Sequence, residues 1–285
     1  EGHVTSCYSS GVVTGADSIG GLVGLSSSQG TITDASSSAY VLGGDFVGGL
    51  AGKNEGHVAS CSSVGIVEGT VGVGGLIGAN RDDLDNSYSS SIVSVNSLVG
   101  GLIGSNDGDV FQSCSDGSVS GDSMMGGLAG DSSGTIRESC SICTVYGGSN
   151  VGGLVGVNAA GRISVCYARG SASGSSRIGG LVGSNTADVS ECYSTGWVGG
   201  RVSAGGLIGN NSGDVTGSFW DIQNSGKVAS DGGTGKTTSE MQMALTYLEW
   251  VACDSESLWT IDEGLDYPRL TWENASGVTM AASAF

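Results

Sequence analysis

Apolar positions recur along this chain at a fixed long interval, with polar positions between them. The clearest marks are the leucines of a five-residue Gly-Gly-Leu-x-Gly unit: Leu22, Leu50, Leu76, Leu102, Leu128, Leu154, Leu181 and Leu207, spaced 28, 26, 26, 26, 26, 27 and 26 residues apart. Fifteen residues before each leucine stands a small residue: Cys7, Ala35, Cys61, Ser87, Ser113, Ser139, Cys166 and Cys192. Three residues before each of these comes an apolar side chain, from Val4 and Ile32 through Ile163 and Val189. Six after comes a second apolar column, from Val13 and Val41 to Ala172 and Val198, and three before each leucine a third, from Ile19 and Val47 to Ile178 and Ala204. Polar, variable residues such as Ser6, Asp34, Ser60, Asn86, Gln112, Glu138 and Glu191 separate them.

Equivalent positions that keep their character at a constant period are the signature of stacked repeats, none of which buries its apolar face alone. The apolar segments are short, rich in Val and Ile, and interrupted by Gly and Asn. They therefore read as strands, and the glycine density opposes helices. The expected fold is all-β: a β-solenoid of about eight to nine 26-residue coils with about three short strands each. Coils about 4.8 Å apart would stack into a rod roughly 40 Å long. The glycines are expected at turns or where neighbouring backbones crowd. A column four residues after each leucine (Ser26, Asn54, Asn80, Asn106, Ser132, Asn158, Asn185, Asn211) is expected to form an amide ladder. A serine column (Ser9, Ser37, Ser63, Ser89, Ser115, Ser141, Ala168, Ser194) is also read as structural.

The pattern breaks near Gly217. Ser218-Phe219-Trp220 begins another coil, and four of the five tryptophans (Trp220, Trp250, Trp259, Trp272) lie from there on. Thr237-Thr238-Ser239-Glu240 is a capping-box signature and predicts a helix from Ser239 to about Trp250. Residues 1–217 are thus assigned to the solenoid, 218–273 to a mixed α/β cap over the last coil's open edge, and 274–285 to a tail or linker. Val4 already occupies a core column, so the opening residues fall inside a coil. Two readings stand there: further coils upstream, or an edge covered by another subunit.

Composition narrows the field. Gly is 54 of 285 residues and Pro is 1, without the three-residue period of collagen. The net charge of −18, with 10 Lys plus Arg, argues against nucleic acid and anionic membranes and for a soluble, self-repelling surface. No apolar run approaches the length of a membrane span.

The chemistry-bearing residues are few. Cys166 and Cys192 share the small column in successive coils, and Cys114 and Cys140 share the next position, where other coils carry Tyr8, Tyr88, Tyr167 and Tyr193. Stacking brings each pair within disulfide range, and the alternative is a stack of buried thiols acting as small hydrophobes. Cys140-Ser141-Ile142-Cys143 matches C-x-x-C without the surrounding elements of a redox or zinc motif. Gly235-Lys236-Thr237 lacks the first glycine of a phosphate loop, since residue 230 is Ser230. Asp83 with Asp109, and Asp188 with Asp214, stack in neighbouring coils, where either splayed solvated carboxylates or a bridging calcium ion relieves their repulsion. His3 and His57 share a column two coils apart with Thr31 between them. Tyr167, Tyr193 and Phe219 would form an aromatic ladder, sugar-binding if exposed and merely stabilising if packed.

The recurring Gly-Gly-Leu-(Val/Ile/Ala)-Gly, followed by Asn and then by Cys-Tyr-Ser, resembles the GLUG motif over about residues 1–220. The segments Gly232–Met241 and Tyr267–Trp272 look like the ends that follow such arrays. The resemblance implies a secreted or surface-attached microbial protein of adhesin-like type; apart from the calcium ion considered above, no cofactor is expected. The leading expectation is a non-enzymatic extracellular structural or adhesive rod. Its partners would be itself, head to tail in a filament, or other surface proteins and glycans. The alternatives are a polysaccharide-acting β-helix enzyme and a carbohydrate-binding module. An ice-binding face would want Thr-x-Thr in successive coils, and Thr31-Ile32-Thr33 supplies one.

Overall fold

The computed structural model describes residues 2–250 and 258–280. The chain winds into a parallel β-solenoid whose walls are four sheets running along the rod. In the third coil, for example, the chain passes through His57–Ala59 in the first sheet, Ser62–Glu68 in the second, Val71–Gly74 in the third and Ile77–Asn80 in the fourth. The third and fourth sheets each hold eight strands, one per coil, and the first holds nine. Each coil thus carries four or five strands rather than three, because it bends twice in the left-handed region, in most coils at non-glycine residues. One column of left-handed residues is Ser6, Asp34, Ser60, Asn86, Gln112, Glu138, Val165 and Glu191; a second contains Ser18, Phe46, Leu98, Met124, Asn150, Arg177 and Ser203.

The motif glycines do a different job. Gly74, Gly75 and Gly78 have ordinary backbone angles; what excludes a side chain there is space. A β-carbon on Gly78 would lie 2.5 Å from the Phe46 carbonyl carbon and 2.7 Å from the Val47 nitrogen, so the third and fourth sheets touch backbone to backbone. A β-carbon on Gly75 would strike the Gly101 carbonyl oxygen of the next coil. Crowding, not turning, explains this column.

Register is kept without slippage. Val58 pairs with Ile32 and Leu84, and Val73 with Val47 and Val99. The interior divides into two apolar columns, one built on the motif leucines with Ile32, Val58 and Leu84, the other on Val41, Val47, Val67 and Val73. Between them the Ser63, Ser115 and Ser194 hydroxyls donate to the carbonyls of Gly75, Gly127 and Gly206 at 2.5, 2.7 and 2.8 Å. The asparagine column is a ladder: the Asn54 amide donates to Asn80 and Asn80 to Asn106, both at 2.9 Å, and Asn158 donates to Asn185 and Asn185 to Asn211, both at 2.7 Å. Ser132 interrupts it, donating to Gly134 and leaving the Asn158 side-chain oxygen without a partner.

The last coil closes on itself. Trp220 turns into the first apolar column, and Thr234–Lys236 pairs with Phe219–Asp221. The Asp231 amide donates to the Ile208 carbonyl at 3.1 Å, and the Ser230 hydroxyl accepts from the Leu207 and Ile208 amides. Residues 237–250 and 258–280 then lie along the outside of the second sheet as a strap. Thr237 caps a single helical turn, Thr238–Met241, with the full reciprocal capping box. The helix expected to reach Trp250 ends there; Ala244–Trp250 is a kinked 3-10 segment. This tighter geometry puts Tyr247 and Trp250 on the rod, where they are buried. Residues 274–280 are not the free tail expected of them: Val278–Thr279 pairs with Trp259–Ile261, and Met280 is buried. Residues 281–285 of that expected tail lie outside the described residues, as does Glu1. Among the described residues no helix is long and apolar enough to cross a membrane.

Candidate functional site

The outward face of the second sheet gathers most of the residues in question. Its first outward column reads Tyr8, Ser36, Ser62, Tyr88, Cys114, Cys140, Tyr167, Tyr193 and Phe219. Cys114 and Cys140 are joined by a disulfide, with their α-carbons 4.6 Å apart. Cys166 and Cys192 are free and buried. Each thiol donates to a carbonyl two residues back in its own coil, Ser164 and Ser190, at 3.1 Å. Ser87 and Ser113 make the same bond to Asp85 and Phe111, at 2.8 and 2.9 Å. The small column therefore accepts Ser and Cys alike because either can satisfy that carbonyl. Burial raises the Cys192 thiol far above its ordinary value and pushes Cys143 up to about 11, so neither supplies a thiolate at neutral pH.

Tyr167 and Tyr193 stack with ring centroids 5.2 Å apart. They are not open to solvent, because the strap lays Trp259 across both, at 6.3 and 5.8 Å, and Trp250 against Tyr193 at 6.4 Å. Polar bonds fix the strap's position. The Tyr167 hydroxyl donates to Glu273 at 2.9 Å, and the Trp272 indole donates to the Glu138 carbonyl at 2.9 Å. Arg169 pairs with Asp266, which also accepts from Arg269 at 3.0 Å. At the strap's root the buried Asp221 carboxylate accepts from Thr238 at 2.8 Å and Tyr267 at 2.7 Å. The aromatic ladder is thus a packed wall, covered by a segment expected only at the rod's end.

The stacked aspartates Asp83, Asp109, Asp188 and Asp214 are all exposed. Asp83 and Asp109 line a shallow groove with Asp85, Phe111 and Arg137, and the Arg137 guanidinium lies over the Phe111 ring at 4.6 Å. Burial raises the Asp85 pKa; His57, 3.8 Å away, pulls it down, and Asp83 and Asp109 push it up. No group of three or more His, Cys, Asp or Glu side chains able to hold a metal ion occurs among the described residues. His3 and His57 each pair with Thr31, and His3 bonds the Thr31 hydroxyl at 2.9 Å, so the two imidazoles are held apart.

What the sequence columns did not single out is the open part of the same face. Over the first four coils Tyr8, Val12, Leu42, Val64, Ile66, Tyr88 and Ile92 are exposed, with Val12 at 69%. All lie on outward columns of the second sheet, beside the strap-covered wall. Alternation signals them: in Tyr88–Ser94 the inward residues are Ser89, Ser91 and Val93, leaving Tyr88 and Ile92 outside.

Among known families, residues 174–199 match the model of the GLUG motif. That stretch contains Gly179-Gly180-Leu181-Val182-Gly183 and Cys192-Tyr193-Ser194, whose columns recur through the other coils. No curated protein and no solved structure matches the chain.

Proposed function

We propose that this GLUG-motif β-solenoid is a non-enzymatic extracellular rod that binds through one flank. The observation that carries the reading is the contiguous run of exposed Tyr, Val, Ile and Leu side chains on the second sheet, in a chain of net charge −18. Exposed apolar patches of this extent mark interaction surfaces, and parallel stacking sets their side chains at the strand spacing along the axis. The interior Ser and Asn ladders are spent on holding coils together, which suits a spacer or adhesive scaffold. Side-on contact is favoured over a head-to-tail filament, because Ser230 and Asp231 already occupy the Ile208–Asn211 edge.

Beads coated with the chain should attach to the surface of the producing cells. The triple variant Ile66→Ser, Tyr88→Ser, Ile92→Ser should attach far less while melting at the same temperature. Equal attachment by both removes the flank from the function. Immunolabelling that finds only an internal pool overturns the extracellular part. Turnover of any member of a polysaccharide panel returns the β-helix enzyme to first place, and electron microscopy showing end-to-end fibres favours the filament.

A further inference from the structure

We infer that a groove on the same flank, between Tyr146 and Trp197, binds an acidic oligosaccharide. This inference deepens the reading of the flank as a binding face and rests on it. The groove holds about 420 Å³. Tyr146 pairs with Ser173 in the next coil, and Ser173 with Gly199 in the one after. The three positions therefore form one outward column, each about 4.8 Å from the next. Trp197 stands two residues before Gly199 and lays its indole over it: a β-carbon there would come within 2.5 Å of indole carbon Cζ3. Glycine at 199 is what lets the ring lie flat on the sheet. Read along the rod, the groove presents a phenol ring, a serine hydroxyl and an indole. The rings stand two strand spacings apart, roughly 9–10 Å.

Both rings are open to solvent, Tyr146 at 66% and Trp197 at 57%, although large aromatics elsewhere in the rod's second half are covered by the strap. Flat exposed rings with hydroxyls between them suit sugars. The apolar C–H face of a pyranose stacks on an aromatic face, and its hydroxyls meet polar groups at the rim. Ser173 and Ser175 supply such hydroxyls.

Charge selects the class of sugar. Arg201 lines the groove and forms no ion pair among the described residues. In a chain of net charge −18, the groove is lined by Arg201 and by no Asp or Glu. A carboxylate-bearing sugar meets a guanidinium there, whereas over most of the rod it would meet repulsion.

The test is calorimetric titration of the whole chain with hexamers of galacturonate, mannuronate and hyaluronan, and with cellohexaose as the neutral probe. At least one acidic hexamer should bind more tightly than cellohexaose. Trp197→Ala should weaken that binding roughly tenfold or more. Arg201→Gln should bring acidic and neutral binding together. Both positions are exposed, so melting temperature and far-ultraviolet circular dichroism should not move. Binding of none of the acidic hexamers overturns the inference, as does unchanged binding by Trp197→Ala. Preference for cellohexaose overturns the acidic assignment. These results are separable from the flank test, whose variants lie in the third and fourth coils.

Discussion

Tyr88 and Tyr193 occupy the same column of the same sheet, on strands of the same pairing, yet Tyr88 is 39% exposed and Tyr193 fully buried. Nothing in the local repeat distinguishes them: each follows the small column and precedes a serine that points inward. The difference is a segment more than fifty residues further along the chain, which returns over Tyr193 and stops short of Tyr88. The repeat thus specifies a rod and a row of outward side chains. A non-repeating strap decides which of those side chains become core and which remain available to a partner.

The largest effect that sharpens this contrast should come from Trp259→Ala. The indole is buried against Tyr167, Tyr193 and Trp250, with centroid distances of 6.3, 5.8 and 4.8 Å. Its loss should destabilise strap docking by about 3–5 kcal/mol. Because coils contact only their neighbours, the damage should stay local. Hydrogen exchange should accelerate in residues 237–250 and 258–280 and in the coils of Tyr167 and Tyr193, with the first four coils unchanged. Uniform acceleration through the rod would show that strap and rod unfold as one unit, and the contrast between halves would lose its energetic meaning.

Leu76→Ala should act on the rod itself. The side chain is fully buried in the first apolar column, so the change should cost about 2–5 kcal/mol, read by denaturant unfolding. Its counterpart Tyr88→Ala, on the open flank of an adjacent coil, should stay within about 0.5 kcal/mol of the parent. A large loss at Tyr88 would mean that the open flank carries stability rather than binding.

Asn80→Ala should cost about 1–3 kcal/mol. Asn80 accepts from Asn54, donates to Asn106, and donates to the Asp82 carbonyl at 2.7 Å, and removing it strands all three inside the rod. Amide exchange should rise in the coils on both sides. Protection lost only downstream would show that the ladder does not couple neighbours symmetrically.

How far these features can be read from sequence depends on how far apart the interacting residues lie in the repeat. Leu76, Val58 and Asn80 were legible because each meets its own equivalent one coil away, and repetition announces the contact. The capping box at Thr237 was legible because it is local. The bends were not, since Ser60, Gln112 and Leu98 adopt left-handed backbone without the glycine that would signal it. The strap's course was not, because the contacts of Trp259 with Tyr167, and of Arg169 with Asp266, occur once and span about ninety residues or more. The Tyr146–Trp197 groove escaped notice because it joins two columns. Only Gly199, close to a tryptophan in an otherwise Val, Tyr, Ile, Ser and Thr position, hints at it.

The smallest predicted effect follows from pH and sets the two halves against each other. Burial by itself would raise the Asp266 pKa, but hydrogen bonds from Arg169, the Tyr267 amide and Arg269, with the Arg169 charge, bring it below the ordinary carboxylate value. Such a group stabilises the folded strap above its unfolded pKa, and that stability is lost as pH falls through the folded pKa. Asp85, beside the open flank, has the opposite sign. Its pKa is raised, chiefly by burial, so its contribution is present at low pH and lost as pH rises through the folded value. Acidification from neutrality to below about pH 4 should therefore loosen the strap while slightly favouring the coil of Asp85. Asp266 is partly exposed, so solvent and salt screen the effect. Near-ultraviolet circular dichroism, dominated by the strap's stacked tryptophans, should decline before the far-ultraviolet sheet signal does. Asp266→Asn should shrink the strap's acid response and Asp85→Asn should leave it in place. A strap signal that stays flat into strong acid would mean that aromatic packing alone holds the wall covered, with the Arg169–Asp266 pair contributing only its position.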